Sequence, residues 1–252
     1  VVYQVLQADR YLEGEVAATL QALVEAVSPR VRTGDVSVRR ERWQAVHAEQ
    51  AEAQSTQERD AARAVDRITA VALVAAMREE LDEDALYVDE TITHSRVIQS
   101  HLQWNRPDSW IYVQGGLGQG TGWALGAKLA APERLVVLTV GDGSYLYNPV
   151  PQALMASQVL GLPLLIVIFN NRQYLSMKLN HLRFYPEGDA VAADDFDGVD
   201  LSGQPPLSEF GSPFGLPGWE VSDPRQLRPA LREAAASAAA GQTAILNVAL
   251  AR

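Results

Sequence analysis

The chain has no cysteine among its 252 residues. That excludes disulfides, thiolate metal sites and a cysteine nucleophile, and it is compatible with the cytoplasmic location expected for the protein. Basic residues are also scarce, with 21 Lys and Arg against 31 Asp and Glu, a formal net charge of −10. Nucleic acids are met by clustered Lys and Arg, so no nucleic-acid partner is expected. A phosphorylated ligand would need a local device instead, backbone amides together with a metal. Apolar runs are short: none reaches the length of a membrane span and no signal peptide is visible, so no membrane partner is expected. What remains, 47% hydrophobic and 21% charged residues, suits a globular chain long enough to bury a core. It opens on Val1 rather than Met and is expected to be a subunit, a processed product or a piece of a longer polypeptide.

Val1 to Leu6 reads as a short strand, followed by an amphipathic helix from about Glu13 to Val27. Val16, Leu20, Leu23 and Val27 share one face of that helix, and Pro29 ends it. From Val36 to about Ala64 the sequence is polar and charge-mixed with few helix breakers, as a solvated helical linker would be. From about Ile68 strand and helix patterns alternate. ITAVALVAAMREEL reads as a helix, ALYVDE as a strand, SWIYVQ as a second strand and TGWALGAKLAAPE as a small-residue helix. After the central stretch come YLSMKLNHL as a helix, GWEVSD as a strand, RQLRPALREAAASAAA as a helix stopped at Gly241, and TAILNVAL as a last strand. This alternation predicts a doubly wound parallel α/β sheet. Arg183 to Pro217, rich in Gly, Pro and Asp, reads as a long loop, and loops of that length in compact domains are often functional.

The chemistry concentrates in the central stretch, Leu135 to Asn171. Leu135 to Val140 is one buried strand and Leu164 to Phe169 another, with one helix-like segment between them. The first strand breaks into Gly141-Asp142-Gly143-Ser144 and the second ends on Asn170-Asn171. Both punctuations lie at strand C-termini, the edge where open α/β sheets bind ligands. An Asp carboxylate and an Asn carbonyl are hard oxygen donors of the kind Mg²⁺ uses beside phosphate oxygens and water. Glycines flanking Asp142 permit a tight turn and close approach of amides to an anion. Ser144 opens the next helical segment and offers an amide and a hydroxyl to a phosphate. Either motif alone is ordinary strand punctuation. Two of them, each behind an apolar strand, favour a metal and phosphate site.

These residues resemble the thiamine diphosphate signature of the 2-oxo-acid decarboxylase and acetolactate synthase superfamily, most closely its benzoylformate decarboxylase-like members. The resemblance implies Mg²⁺ held by Asp142, Asn171 and the carbonyl of Gln173. The separation 171 − 142 = 29 departs from the family spacing as a two-residue insertion around Asn148-Pro149-Val150-Pro151 would, and this leaves Asn170 as the alternative to Asn171. Gly115-Gly116-Leu117-Gly118 resembles the family loop in which the first Gly carbonyl meets the cofactor's aminopyrimidine and the Leu props it bent. Thr91, Ile92 and Thr93 match a loop that touches the diphosphate, but Ile92 replaces a hydroxyl residue and keeps only a backbone contact. Gly141, Gly143, Ser144 and Tyr174 complete the implied cofactor contacts. Ser176 and Met177 fall in the family's substrate pocket, and His94 and His181 are candidates to face substrate.

For this chain the resemblance implies the C-terminal portion or a subunit of an enzyme that decarboxylates a 2-oxo acid of the benzoylformate or pyruvate type through a cofactor carbanion; acetolactate synthase-like carboligation is the alternative. A cofactor-binding subunit without turnover of its own is a second class of reading. Residues 1–35 resemble the end of the family's central α/β domain, with 36–67 the helical linker and 68–252 the diphosphate- and Mg²⁺-binding C-terminal domain. The family's pyrimidine-activating Glu lies in an N-terminal domain that has no counterpart here. The site is therefore expected to be completed by another polypeptide carrying that domain or by an absent portion of this one, and the resemblance implies a homo- or hetero-oligomer (dimer or tetramer). The glycine run 115–122 is not a dinucleotide fingerprint: G-x-G-x-x-G fails in each register, at Thr121, Trp123 or Leu125.

Overall fold

The computed structural model describes residues 9–104, 106–113 and 116–251. The expected strand at Val1 to Leu6, and Gly115, lie outside the described residues. The chain divides into two compact units, residues 1–53 and 54–252.

In the first unit helix α1 spans Val16–Val27. The Glu15 carboxylate starts it by accepting the amides of Ala17 at 3.1 Å and Ala18 at 2.7 Å, two of the donors a helix start leaves free. Pro29 sits in the 3₁₀ turn Ser28–Arg30 that ends it. Val16, Leu20, Leu23 and Val27 are all exposed. Helix α2, Thr33–Arg63, is a single helix that passes into the second unit. Its C-terminal end is more than a solvated linker, because Ala61 is buried and Glu58 pairs with Arg78 and His101.

The second unit is built on six parallel strands: β1 (Leu86–Glu90), β2 (Trp110–Tyr112), β3 (Val136–Gly141), β4 (Leu165–Asn170), β5 (Gly218–Val221) and β6 (Ala244–Ala249). They lie in the order β2-β1-β3-β4-β6-β5, the doubly wound α/β sheet the sequence predicts. The central strands read as unbroken apolar runs because both faces are covered. Alternate residues feed opposite cores. Val137, Leu165, Val167, Phe169 and Leu246 enter one cluster with helices α3 (Ala70–Glu80), α4 (Ser95–His101) and α10 (Pro224–Ala239). Val136, Leu138, Val140, Ile166 and Ile168 enter the other, with α5 (Gly120–Ala130), α6 (Asp142–Tyr147) and α7 (Val150–Leu160). Helix α10 buries Leu227, Ala230, Leu231, Ala234 and Ala238, a helical apolar stripe. Its start is fixed by Asp223, which accepts the Arg225 amide, with Pro224 at the first position.

Two segments differ from expectation. The helix-like stretch after Asp142 is two helices, broken at Asn148-Pro149. Proline disfavours the helical region for the residue before it, and Asn148 is extended at φ −72°, ψ 147°. The long segment 183–217 holds helix α9 (Asp189–Ala193) and a 3₁₀ helix, Leu207–Phe214, both too short for sequence periodicity to register. Helix α8 precedes it over Leu175–Phe184.

Strand order sets the site. From β1 the chain goes one way to β2 and then back across to β3, so the loops after β1 and β3 part at a topological switch point. Glu90 pairs with Val140 and Gly141 with Phe169, and continuing that register brings residues 92, 142 and 170 to one level.

Candidate functional site

The β1 loop starts from a buried carboxylate. Asp89 Oδ1 accepts the Thr91 amide at 2.9 Å, the Thr91 hydroxyl at 2.7 Å and the Thr139 hydroxyl at 3.2 Å. Burial nevertheless pushes the Asp89 carboxyl up, against those hydrogen bonds. Thr91 Oγ1 also lies 3.2 Å from Ser95 Oγ, so this hydroxyl is spent inside the loop. Ile92 takes φ 55°, a left-handed backbone that a β-branched side chain seldom adopts. His94 packs against Phe169 with ring centroids 5.8 Å apart, and burial pushes its imidazole down to about 4. It is therefore neutral near pH 7.

The glycine loop after β2 is described from Gly116. Gly118 has φ 90°, and a Cβ there would lie 2.5 Å from the Tyr147 carbonyl oxygen. Only glycine allows that approach. At Gly143 a Cβ would meet the Tyr174 ring at 2.4 Å, so a larger residue there would have to displace that ring.

At the end of β3, Asp142 is 2% exposed. Its Oδ2 is buried without a hydrogen-bond partner. Burial pushes this carboxyl up, opposed by the amides of Gly143 and Arg172 and by the Gln204 side chain. At the end of β4 the two asparagines form successive side-chain turns. Asn170 Oδ1 accepts the Arg172 amide at 3.1 Å and Asn171 Oδ1 the Gln173 amide at 3.0 Å. Arg172 is left-handed at φ 58°. The carbonyl of Gln173 accepts the Leu175 amide at 2.9 Å, which leaves it a second lone pair.

Thr91, Ile92, Thr93, His94, Leu117, the segment 141–144, Asn171, Gln173, Tyr174 and Ser176 line one recess of about 40 Å³. Ile92, Leu117, Tyr174 and Ser176 also line a neighbouring cavity of about 360 Å³, together with Gly116, Met177, Tyr112 and Tyr147. The described residues expected to contact cofactor or metal, together with His94, Ser176 and Met177, are thus brought to one of two adjoining spaces, whereas Asn170 and His181 line neither. Asn171 lines the recess, whereas Asn170 turns its Oδ1 to Gln204 at 2.9 Å. His181 lies outside both spaces, packed against Tyr185 and Phe196.

The family model described as thiamine pyrophosphate enzyme, C-terminal TPP binding domain, matches residues 91–248, more than half of the chain. The chain belongs to this family. An acetolactate synthase large subunit of Parasynechococcus marenigrum is 32% identical over 146 residues, 57% of this chain and 22% of that protein. A benzoylformate decarboxylase of Pseudomonas aeruginosa is 26% identical over 227 residues, 90% of this chain and 38% of that protein. The solved thiamine diphosphate-dependent 4-hydroxybenzoylformate decarboxylase of Rhodococcus jostii has a TM-score of 0.62 at 25% identity, covering 73% of this chain and 33% of that one. The chain therefore spans about a fifth to two fifths of these relatives.

The donor set of this thiamine pyrophosphate domain fits a hard cation with phosphate ligands. Among the described residues no group of three or more His, Cys, Asp or Glu side chains is placed to hold a metal. The site instead offers one carboxylate with an orphaned oxygen, one amide oxygen and one main-chain carbonyl, a set that leaves half of an octahedral shell to phosphate and water. Among the described residues no helix is long and apolar enough to cross a membrane.

Three residues that wire this site together carry no sequence signal of the partners they meet. Glu90 and Asn148 are buried polar residues that meet only through the fold. Gln204 belongs to the segment without periodicity.

Proposed function

We propose that this chain is the diphosphate- and Mg²⁺-binding portion of an enzyme that decarboxylates a 2-oxo acid of the benzoylformate or pyruvate type. The observation that carries the reading is the buried, unpartnered Oδ2 of Asp142, set beside Asn171 on the adjacent strand end. A buried carboxylate oxygen without a partner is costly, and a divalent cation removes that cost. In this reading Asp142, Asn171 and the Gln173 carbonyl hold Mg²⁺, with the segment 141–144 and the Thr91–Thr93 loop on the diphosphate. Gly115, Gly116, Leu117 and Tyr174 meet the rest of the cofactor. Thiamine diphosphate, when bound, supplies an electron sink for the electrons released with CO₂. His94, Ser176 and Met177 face the substrate, His94 as a neutral imidazole.

Residues 68–252 then form the cofactor domain, 36–67 its linker and 1–35 the end of a preceding α/β domain. A polypeptide carrying the pyrimidine-binding domain and its Glu completes the site, in a dimer or tetramer. Calorimetric titration with thiamine diphosphate and Mg²⁺ tests the reading, wild type against Asp142→Ala, with the completing polypeptide present. Metal-dependent binding by wild type and its loss in the variant are expected. Equal binding by both would sink the proposal. A panel of 2-oxo acids, with CO₂ and product both measured, separates decarboxylation from acetolactate synthase-like carboligation. Cofactor binding without turnover on any of them would identify a non-catalytic subunit.

A further inference from the structure

The segment between α9 and the 3₁₀ helix Leu207–Phe214 is stitched to the loop that carries Asn171 and Gln173. The Tyr174 amide donates to the Val199 carbonyl and the Leu201 amide to the Arg172 carbonyl, both at 2.9 Å. Gln173 and Asp200 form an antiparallel bridge between them. This short pairing delivers Gln204 to the site. Its Nε2 donates to Asn170 Oδ1 at 2.9 Å, while the Asn170 carbonyl is held by the Leu250 amide at 2.7 Å. The other end of the Gln204 carboxamide is different, because Oε1 is buried and has no partner. Asp142 Oδ2 is in the same condition, and the Gln204 side chain also acts on the Asp142 carboxyl. Buried polar atoms are almost always paired, so an unpartnered Oε1 beside the ligand loop calls for a partner.

We propose that Gln204 is a positioning residue of the divalent-cation site: its Nε2 fixes the Asn170 end of the ligand loop, and its buried Oε1 accepts a hydrogen bond from water carried by the cation. The inference rests on the cation reading given above. Mg²⁺ gives up its water reluctantly and keeps several molecules when protein-bound. Acceptors that hold such water orient the whole coordination sphere, and their loss typically costs about 10–100-fold in metal affinity. The 183–217 segment thereby acquires a role at the metal.

The test is a Mg²⁺ titration of the protein with its completing polypeptide at saturating thiamine diphosphate. Cofactor binding is followed by tryptophan fluorescence, and the thermal midpoint without cofactor is measured alongside. Gln204→Met removes both polar ends at similar length. It is expected to weaken apparent Mg²⁺ affinity by about 10–100-fold while leaving the cofactor-free midpoint unchanged. Gln204→Glu keeps an acceptor oxygen and adds a negative charge near the cation, so it is expected to bind Mg²⁺ more tightly than Gln204→Met, an order that mere loosening of the segment would not produce. If Gln204→Met itself unfolds the segment, the Glu variant decides: a fall of about tenfold or more from wild type in a variant that keeps the acceptor would overturn the inference. Wild-type Mg²⁺ affinity in Gln204→Met overturns this inference and leaves the proposed function standing. Metal-independent cofactor binding by wild type overturns both.

Discussion

Asn148 donates its side-chain amide to the buried carboxylate of Glu90 at 2.7 Å, and through that bond three site loops are joined. Glu90 closes β1 and also accepts the amides of Gln119 at 3.0 Å and Gly120 at 3.2 Å, where α5 begins. Asn148 accepts the Thr121 amide at 2.9 Å and the Thr121 hydroxyl at 3.0 Å, and it donates to the Ser144 carbonyl at 2.8 Å. The residue that breaks α6 from α7 is thus the tie between the β1, β2 and β3 loops.

In Glu90→Gln an NH₂ group must face either the Gln119 amide or the Gly120 and Asn148 donors. One hydrogen bond is lost and a buried donor is left unpaired, a cost of about 1–3 kcal/mol. Each kcal/mol lowers the midpoint of a domain this size by about 2–4 °C. Scanning calorimetry of wild type and variant measures the difference. An unchanged midpoint would show that the Glu90 contacts do not support the loops.

Ile92 holds a left-handed backbone at φ 55° within the β1 loop. That conformation costs a β-branched residue about 1–2 kcal/mol, whereas Asn tolerates it. Ile92→Asn is expected to raise the cofactor-free midpoint by about 2–4 °C per kcal/mol recovered. A lower midpoint would mean that the Ile92 side chain contributes more by packing in its cavity than its backbone costs.

Much of this arrangement was legible in the sequence. Val136–Gly141 and Leu165–Asn170 announce themselves because strands buried on both faces are continuously apolar. Asp142 and Asn171 stand out because a polar residue directly after such a run falls at the ligand-binding edge. Gln204 was not legible: it sits in a stretch without periodicity and meets Asn170 34 residues away, a pairing that exists only once the segment folds back. Glu58 hid differently, as one charge in a run of charges. Asn148 is an intermediate case, since Pro149 marks a helix break but says nothing of Glu90.

Glu58 makes the clearest pH prediction. Arg78 holds it bidentately at 2.8 Å through both carboxylate oxygens, and His101 Nδ1 lies 2.8 Å from Oε1. Hydrogen bonding to Arg78 holds the carboxyl down to about 2, from 4.5. A carboxylate lowered on folding contributes stability that is present above the unfolded value and is lost as pH falls through the folded one. The stability gap between wild type and Glu58→Gln is therefore expected to be full above pH 4.5 and to close toward about pH 2. Urea midpoints of both proteins at pH 7 and at pH 2.5 measure it, and a gap that stayed constant with pH would refute the ion pair as its source.

Asp142 is the residue at which cofactor binding and stability are expected to part company. Its carboxylate is 2% exposed with Oδ2 unpartnered, so without a cation the fold carries a buried charge that the amides of Gly143 and Arg172 and the Gln204 side chain offset only in part. Asparagine has nearly the same shape and no charge. Asp142→Asn is therefore expected to be more stable than wild type in the presence of a chelator. On addition of Mg²⁺ and thiamine diphosphate the order reverses, because only wild type gains the stabilisation of a bound ligand, about 2.7 kcal/mol at a hundredfold excess over Kd. Thermal midpoints of the two proteins, each with chelator and with cofactor plus Mg²⁺, give the four values required. A variant less stable than wild type under chelation would mean that the carboxylate is already satisfied by protein. The orphaned oxygen would then carry no argument for a metal.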